Sequence, residues 1–245
     1  MTPPADVSGI LTTDRIAQAL ITGVPGVASG RVVVGFNWTA VEGPNALGLA
    51  ATPSRADGAR ATSETGSYAG RPLAELARLF VSDNPYERAI GLAAANAHWN
   101  RDTPELIDGD GLAASGGGRA VVIGRFPGLE AKLPGAVVLE RDPGPNDLPA
   151  ERAADVIPGC GDLVITATTL VNGTLGGLLD LADPDCRITL VGPGTPLCPA
   201  FHGLGIRRLA GFVASDRDGC FRAIMEGSGA RAFRRFGRAV SRTAS

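Results

Sequence analysis

Between Ala120 and Ala214 the chain repeats one design five times: a short apolar run, a turn, and a segment able to form a helix. The runs are AVVIG from Ala120, AVVLE from Ala136, DLVIT from Asp162, ITLVG from Ile188 and a weaker RLAGFVA from Arg208. Runs of this kind, apolar on both faces and joined by helical segments, predict parallel strands with helices covering each side of the sheet. A Rossmann-like unit is therefore expected for this half of the chain.

The first hundred residues follow a different pattern. Thr13 and Asp14 precede the rhythm Ile16, Ala17, Leu20, Ile21, which predicts a short capped helix ended by Gly23, Pro25 and Gly26. RVVVGFNWTAV and ALGLAATP are β-rich runs separated by EGPN, the composition of an antiparallel hairpin. Helices are expected at about Pro72–Val81 and Tyr86–Trp99, the second rich in Ala and able to pack closely. The segment from Asn100 to Gly118 combines charge, Pro and a Gly run, which predicts a boundary. The expected fold class is α/β, with a small α+β domain over 1–105 and a Rossmann-like parallel-sheet domain over 106–245.

Composition excludes some partners. With 23 basic and 25 acidic residues the chain carries a formal charge of -2, so no global field attracts nucleic acid or an anionic membrane. Nine Arg follow Ile206 against Asp216, Asp218 and Glu226, yet Lys132 is the one Lys of the chain, so the Arg excess reflects coding preference. GARAFRRFGRAVSR is read as a solvated amphipathic helix. Cys160, Cys186, Cys198 and Cys220 are scattered without a C-x-x-C pair, which predicts buried free thiols in a reducing cytoplasm. The N-terminal MTPPADVSGILTTDR lacks a basic segment followed by an apolar one, and no window reaches the ~18 apolar residues of a membrane helix. A cytoplasmic protein without nucleic-acid or membrane partners is expected.

Chemistry is expected where strands end. In DLVITATTLVNGT a strand runs into Thr166, Thr168, Thr169, Asn172 and Thr174, with a helix beginning near Leu175; hydroxyls, a carboxamide and backbone N–H groups at a sheet edge suit carboxylate or phosphate oxygens. Thr174 or Asn172 also serves as a helix cap in this pattern. After the next strand, Gly192-Pro193-Gly194-Thr195-Pro196 predicts a sharp turn with Thr195 as N-cap and Pro196 at the first helical position. The first strand leads to Gly124-Arg125-Phe126-Pro127-Gly128 and the second closes on Glu140, an interval near that of a dinucleotide fingerprint, although G-x-G-x-x-G is absent. His98 and His202 lack any partner at metal-ligand spacing, and no hydrolase or NTPase motif is present.

AANAHWN around Asn96, VITATTLVNGTL from Val164, LVGPGTPLCPAFHGLGIRRLAGFV from Leu190 and MEGSG from Met225 resemble a bacterial and archaeal family of unknown function described as a "putative heavy-metal chelation" domain. The N-terminal part is similar to its small companion domain. The resemblance implies an enolase-N-terminal-like domain followed by a Rossmann-like one, with a pocket between them. It places Asn96, Glu140, Thr168, Thr169, Asn172, Thr174, Gly192, Pro193, Thr195 and Glu226 near that pocket and implies a link to metal handling. Two functions stay open: binding or handling of a small anionic ligand or metal complex, and catalysis on a small, nucleotide-like metabolite with Glu140 or Glu226 as acid or base. The expected partner is a small-molecule ligand, with a homodimer left open. Any metal is expected to be held through that ligand, since no compact Cys/His set is available.

Overall fold

The computed structural model describes residues 7–54, 58, 61–62, 66–112 and 118–244; of the expected boundary segment, 113–117 lie outside them. Two sheets organise the chain. The first is an antiparallel meander of β1 (Val32–Val34), β2 (Trp38–Glu42) and β3 (Leu47–Ala51). The run expected as one strand is broken at Gly35, whose N–H donates to the Trp38 carbonyl and closes a tight turn. The hairpin at EGPN forms as expected, between β2 and β3.

Helix α1 spans Val7–Ile21, so Thr13 and Asp14 lie inside it and do not cap it. The hydroxyl of the neighbouring Thr12 donates instead to Asp180 Oδ1 at 2.6 Å, tying this helix to the other half of the molecule. After the meander come α2 (Leu73–Ala77), extended by a 3-10 turn over Arg78–Val81, and α3 (Pro85–Trp99). Asn84 caps α3 by accepting from the Tyr86 N–H, with Pro85 at the first helical position.

The meander uses its two faces differently, as the two-residue period of a strand requires. Ala40, Leu47 and Leu49 face a cluster with Phe212, Phe221, Ile224 and Phe233. Val41 and Ala50 join the main core with the Ala-rich face of α3. Gly48 lies on that second face, where an added Cβ would stand 1.9 Å from the Ala93 carbonyl oxygen and 2.2 Å from the Ala97 nitrogen. Strand and helix backbones therefore meet almost directly, and only the absence of a side chain permits it.

The second sheet has eight strands. They are β4 (Ile107–Asp108), β5 (Ala120–Ile123), β6 (Val137–Glu140), β7 (Leu148–Pro149), β8 (Asp162–Thr166), β9 (Arg187–Val191), β10 (Ile206–Ala214) and β11 (Gly237–Thr243), in the order β4-β11-β10-β9-β8-β5-β6-β7. From β5 to β10 every pairing is parallel. Numbered from β5, those six strands run 3-2-1-4-5-6, the order of dinucleotide-binding sheets, and the order reverses between β5 and β8. Val122, Val138, Val164 and Val191 pack on one face with Leu129 and Leu133, while Val121, Leu139, Leu163, Ile165 and Leu190 enter the main core on the other.

Two expectations fail here. The tail read as an amphipathic helix is a 3-10 segment over Ala230–Phe236 followed by β11, which pairs antiparallel with β10 along its whole length and then with β4. Arg238, Val240 and Arg242 alternate with Ala239 and Ser241, and a neighbouring strand edge with seven partners to offer outweighs the helical reading of the Arg-rich stretch. Thr195-Pro196 opens no helix either: a 3-10 turn begins three residues later, at Pro199, with Cys198 before it. No described helix is long and apolar enough to cross a membrane.

Candidate functional site

Strands β5, β6, β7 and β8 end at one edge of the sheet, and the turns that follow them enclose a cleft of about 550 Å³, within the range of small-molecule sites. Its floor and walls are Ile123, Leu139, Ala150, Ala153, Ala154, Leu178 and Leu181. Its polar groups are Arg125, Glu140, Arg141, Glu151, Thr166, Thr168, Thr169, Asn172 and Thr174. All of these lie between residues 123 and 181, so the cleft belongs to the larger sheet and straddles the point where strand order reverses. The meander contributes no wall.

The turn after β8 is built by its own side chains. Helix α6 (Thr168–Asn172) starts directly beyond the strand, and α7 (Leu175–Asp180) follows after Gly173 in the left-handed conformation. The Thr169 hydroxyl donates to the Thr166 carbonyl at 2.7 Å, and the Thr168 hydroxyl lies 3.1 Å from Thr166 Oγ1. Asn172 Oδ1 accepts from both the N–H and the hydroxyl of Thr174, at 3.1 and 2.7 Å, while its Nδ2 is engaged by no described residue. Thr169 is buried; Thr168 and Thr174 are exposed at the rim. From behind, Arg88 of α3 donates to the Val171 carbonyl at 3.0 Å, bracing α6 against the meander half.

The opposite wall begins at Gly124, with φ of 88°, where an added Cβ would lie 2.8 Å from Thr166 Cγ2. Glycine is required both for the backbone conformation and for the approach of the two turns. Glu140 fixes the next stretch: one carboxylate oxygen accepts from the Arg125 N–H at 2.6 Å and the other from the Arg141 N–H at 3.0 Å. Arg125 in turn pairs with Glu130 at 2.6 Å and with Asp147. The Arg125 guanidinium holds the Asp147 carboxyl below the usual carboxylate range, helped by the Gly144 N–H. Helix α4 (Leu129–Lys132) after this turn is a single turn long, with left-handed Gly128 before it.

Of the ten expected site residues, Glu140, Thr168, Thr169, Asn172 and Thr174 line this cleft and the other five do not. Asn96 is buried in α3, donating from Nδ2 to the carbonyls of Leu49 and Gly194 at 2.8 and 2.9 Å. Thr195 is fully buried, and its carbonyl accepts from Asn100 Nδ2 at 2.9 Å. Gly192 and Pro193 are partly exposed at the start of this pinned loop. Glu226 is exposed and ends α8 (Arg217–Met225), its N–H donating to the Arg222 carbonyl. Arg141, Glu151 and the Ala150–Ala154 wall, whose last residues open α5 (Ala153–Val156), went unanticipated, because the strand that positions the wall, β7, is two residues long and leaves no periodic signal.

Direct metal ligation finds no support in the donor set. Among the described residues no group of three or more His, Cys, Asp and Glu side chains could hold an ion. His202 Nδ1 lies 2.8 Å from the Ile206 carbonyl, and His98 stacks edge-on to Trp99 with ring centroids 4.5 Å apart. Burial, with a smaller contribution from Arg101, pushes the His98 pKa down.

Comparison with known proteins is consistent with this architecture. The sequence profile of the DUF364 family, described as "Putative heavy-metal chelation", matches residues 110–243, and that of DUF4213, with the same description, matches 17–99. No curated protein matches. A crystal structure from Desulfitobacterium hafniense DCB-2, described as a protein with unknown function from the DUF364 family, is 29% identical with a TM-score of 0.82, covering 96% of this chain and 99% of its own. One from Pyrococcus horikoshii with the same description is 23% identical, also at 0.82, covering 95% and 100%, which speaks for the fold alone.

Proposed function

Since this chain belongs to the DUF364 family, described as "Putative heavy-metal chelation", we propose that it binds a small oxygen-rich anionic ligand, alone or as a metal complex, in the cleft above β5, β6 and β8. The observation that carries this reading is the gathering of Thr166, Thr168, Asn172 and Thr174 over an apolar floor at the strand-order reversal. Open α/β sheets bind ligands at that position because turns from both directions diverge there and leave a crevice. Hydroxyl and amide groups on the rim suit oxygen atoms, Arg141 places a guanidinium beside the Arg125–Glu130–Asp147 ion pairs, and Leu139, Leu178 and Leu181 suit an apolar or planar body. Among the described residues no chelating set of side chains is gathered, so a metal would be carried by the ligand.

A second reading, an enzyme acting on a nucleotide-like metabolite, is favoured by the 3-2-1-4-5-6 strand order with Glu140 ending the second strand. Against it, both Glu140 oxygens are already engaged by backbone N–H groups, and Glu226 lies outside the cleft.

Native mass spectrometry with metal analysis on the purified protein tests the binding reading, using Gly177→Trp as a blocking variant. Gly177 lines the cleft on α7, and nothing lies within 4 Å of where its Cβ would be. A retained small molecule that is lost in Gly177→Trp while the melting temperature holds supports the reading. Retention unchanged by Gly177→Trp sinks it. A nucleotide mass, with turnover of that nucleotide, favours the enzyme.

A further inference from the structure

Four buried free cysteines look interchangeable in the sequence, but the fold separates them into one pair and two single thiols. Cys160 precedes β8 and Cys186 precedes β9, and their sulfurs stand 3.4 Å apart although 26 residues separate them in sequence. Both are at the N-terminal edge of the sheet, opposite the ligand cleft. The backbone around them is firmly placed: the Cys160 N–H donates to the Ile157 carbonyl, the Cys186 N–H to the Asp183 carbonyl, and the Arg187 N–H to the Gly161 carbonyl. Arg187 and Asp162, the first paired residues of the two strands, add a two-point ion pair at 3.1 Å.

The surroundings narrow what such a pair can do. Both Asp162 oxygens are held by Arg187, and Asp183 Oδ2 accepts from the Gly159 N–H. Among the described residues no third ligand is offered, so a metal preferring three or four donors has no site here. The sulfurs are already in contact, leaving no gap for an ion between them. Closing from 3.4 Å to the ~2.05 Å of a disulfide brings the sulfurs together by about 1.4 Å. Pro158, Gly159 and Asp183–Asp185 around the pair are exposed, so a small reagent approaches from solvent through these turns.

We infer that Cys160 and Cys186 are a dithiol site that closes to an internal disulfide on reaction with a small-molecule disulfide such as oxidised glutathione, stapling the starts of β8 and β9. One cysteine thiolate attacks the reagent's disulfide, forming a mixed disulfide and releasing one glutathione thiolate. The second protein thiolate then attacks the protein sulfur of the mixed disulfide and releases the other. The protein loses two electrons and two protons; the reagent gains both and leaves as two glutathione thiols. Burial, and next the hydrogen bond with Cys160, push the Cys186 thiol up. Thiolate at Cys186 is therefore scarce at neutral pH, and closure through it accelerates as pH rises.

The test is incubation of the full chain with excess oxidised glutathione, followed by denaturation, alkylation of free thiols and peptide mapping. The expected product loses two of its four thiols, contains a Cys160–Cys186 cross-linked peptide, and melts about 5–10 °C higher than the reduced protein. Cys160→Ser and Cys186→Ser each remove the cross-link and the shift, while Cys198→Ser keeps both. Four thiols still free after prolonged exposure at pH 8.5 overturn the inference. So does a glutathione adduct that persists on either cysteine without an internal bond, or a cross-link made through Cys198 or Cys220. The wild-type peptide map decides the matter even if a variant fails to fold.

Discussion

The turn after β8 and the loop after β9 start from the same recipe, an apolar strand running into Thr, Gly and Asn or Pro, and lie at the same edge of one parallel sheet. They end in opposite conditions. The first is built by its own hydroxyls and opens onto a cleft. The second is covered by α3: Asn96 holds Gly194, and Asn100 holds Thr195 by its amide while accepting from the Leu197 N–H at 2.9 Å. What separates them is which groups α3 and its C-cap claim, not local composition: several polar atoms of the loop after β9, but in the turn after β8 only the Val171 carbonyl, through Arg88, which leaves the hydroxyl rim open. A polar side chain under a helix becomes a structural tie, because its hydrogen bonds must be made internally. The same kind of side chain at an open edge is available to a ligand.

The severest way to break this contrast is to lift α3. Gly48→Ala drives a Cβ into the backbone of α3 at Ala93 and Ala97, and we expect a loss of about 4 kcal/mol, the upper end for one substitution. Hydrogen exchange should show the Gly192–Cys198 loop losing protection while the turn after β8 changes least. If both loosen equally, α3 is not what distinguishes them.

A milder break removes the ties and leaves α3 seated. Asn100→Ala leaves the Thr195 carbonyl and the Leu197 N–H buried without partners and should cost about 2–3 kcal/mol. The corresponding change in the open turn, Asn172→Ala, should cost less than about 0.5 kcal/mol, as for most partly exposed positions. Urea titrations of the two variants side by side measure the difference directly. Equal losses would mean that the open turn is as much a structural tie as the covered loop.

The smallest effect comes from pH. Folding lowers the His98 pKa through burial, so the unfolded chain takes up a proton more readily. Stability from this group is complete above the ordinary histidine value near 6.5 and declines as pH falls below it toward the depressed folded value. His98→Gln should flatten the fall in melting temperature between about pH 7 and 5. An unchanged slope would show that His98 adds nothing to the acid sensitivity of α3.

The contrast also explains which features the sequence made legible. β5, β6, β8, β9 and β10 announced themselves through apolar runs, because a strand buried on both faces has no polar alternation to dilute the signal. Thr168, Thr169, Asn172 and Thr174 stood out as polar residues following such a run. Thr195-Pro196 carried the same kind of signal and was misleading, since the chain there is claimed by Asn100, 95 residues earlier. β11 was hidden for a similar reason: an Arg-rich stretch with alternating side chains becomes a strand only when β10 presents an edge. Long-range partners decided both cases, and no local window contains them.

Helix α1 packs on α7 and on the 3-10 turn over Pro199–Leu204, with Ile16 and Leu20 in the shared core. During synthesis this helix emerges some 160–180 residues before its seat exists. At typical rates of about 5–20 residues per second that delay is on the order of 10–30 s. For most of it, α1 has only α2, α3 and the 3-10 turn over Arg78–Val81 to pack on. A helix made this early is thus among the last parts able to dock fully, and a nascent chain halted before α7 would present part of the face carrying Ile16 and Leu20 as a handle to chaperones and proteases.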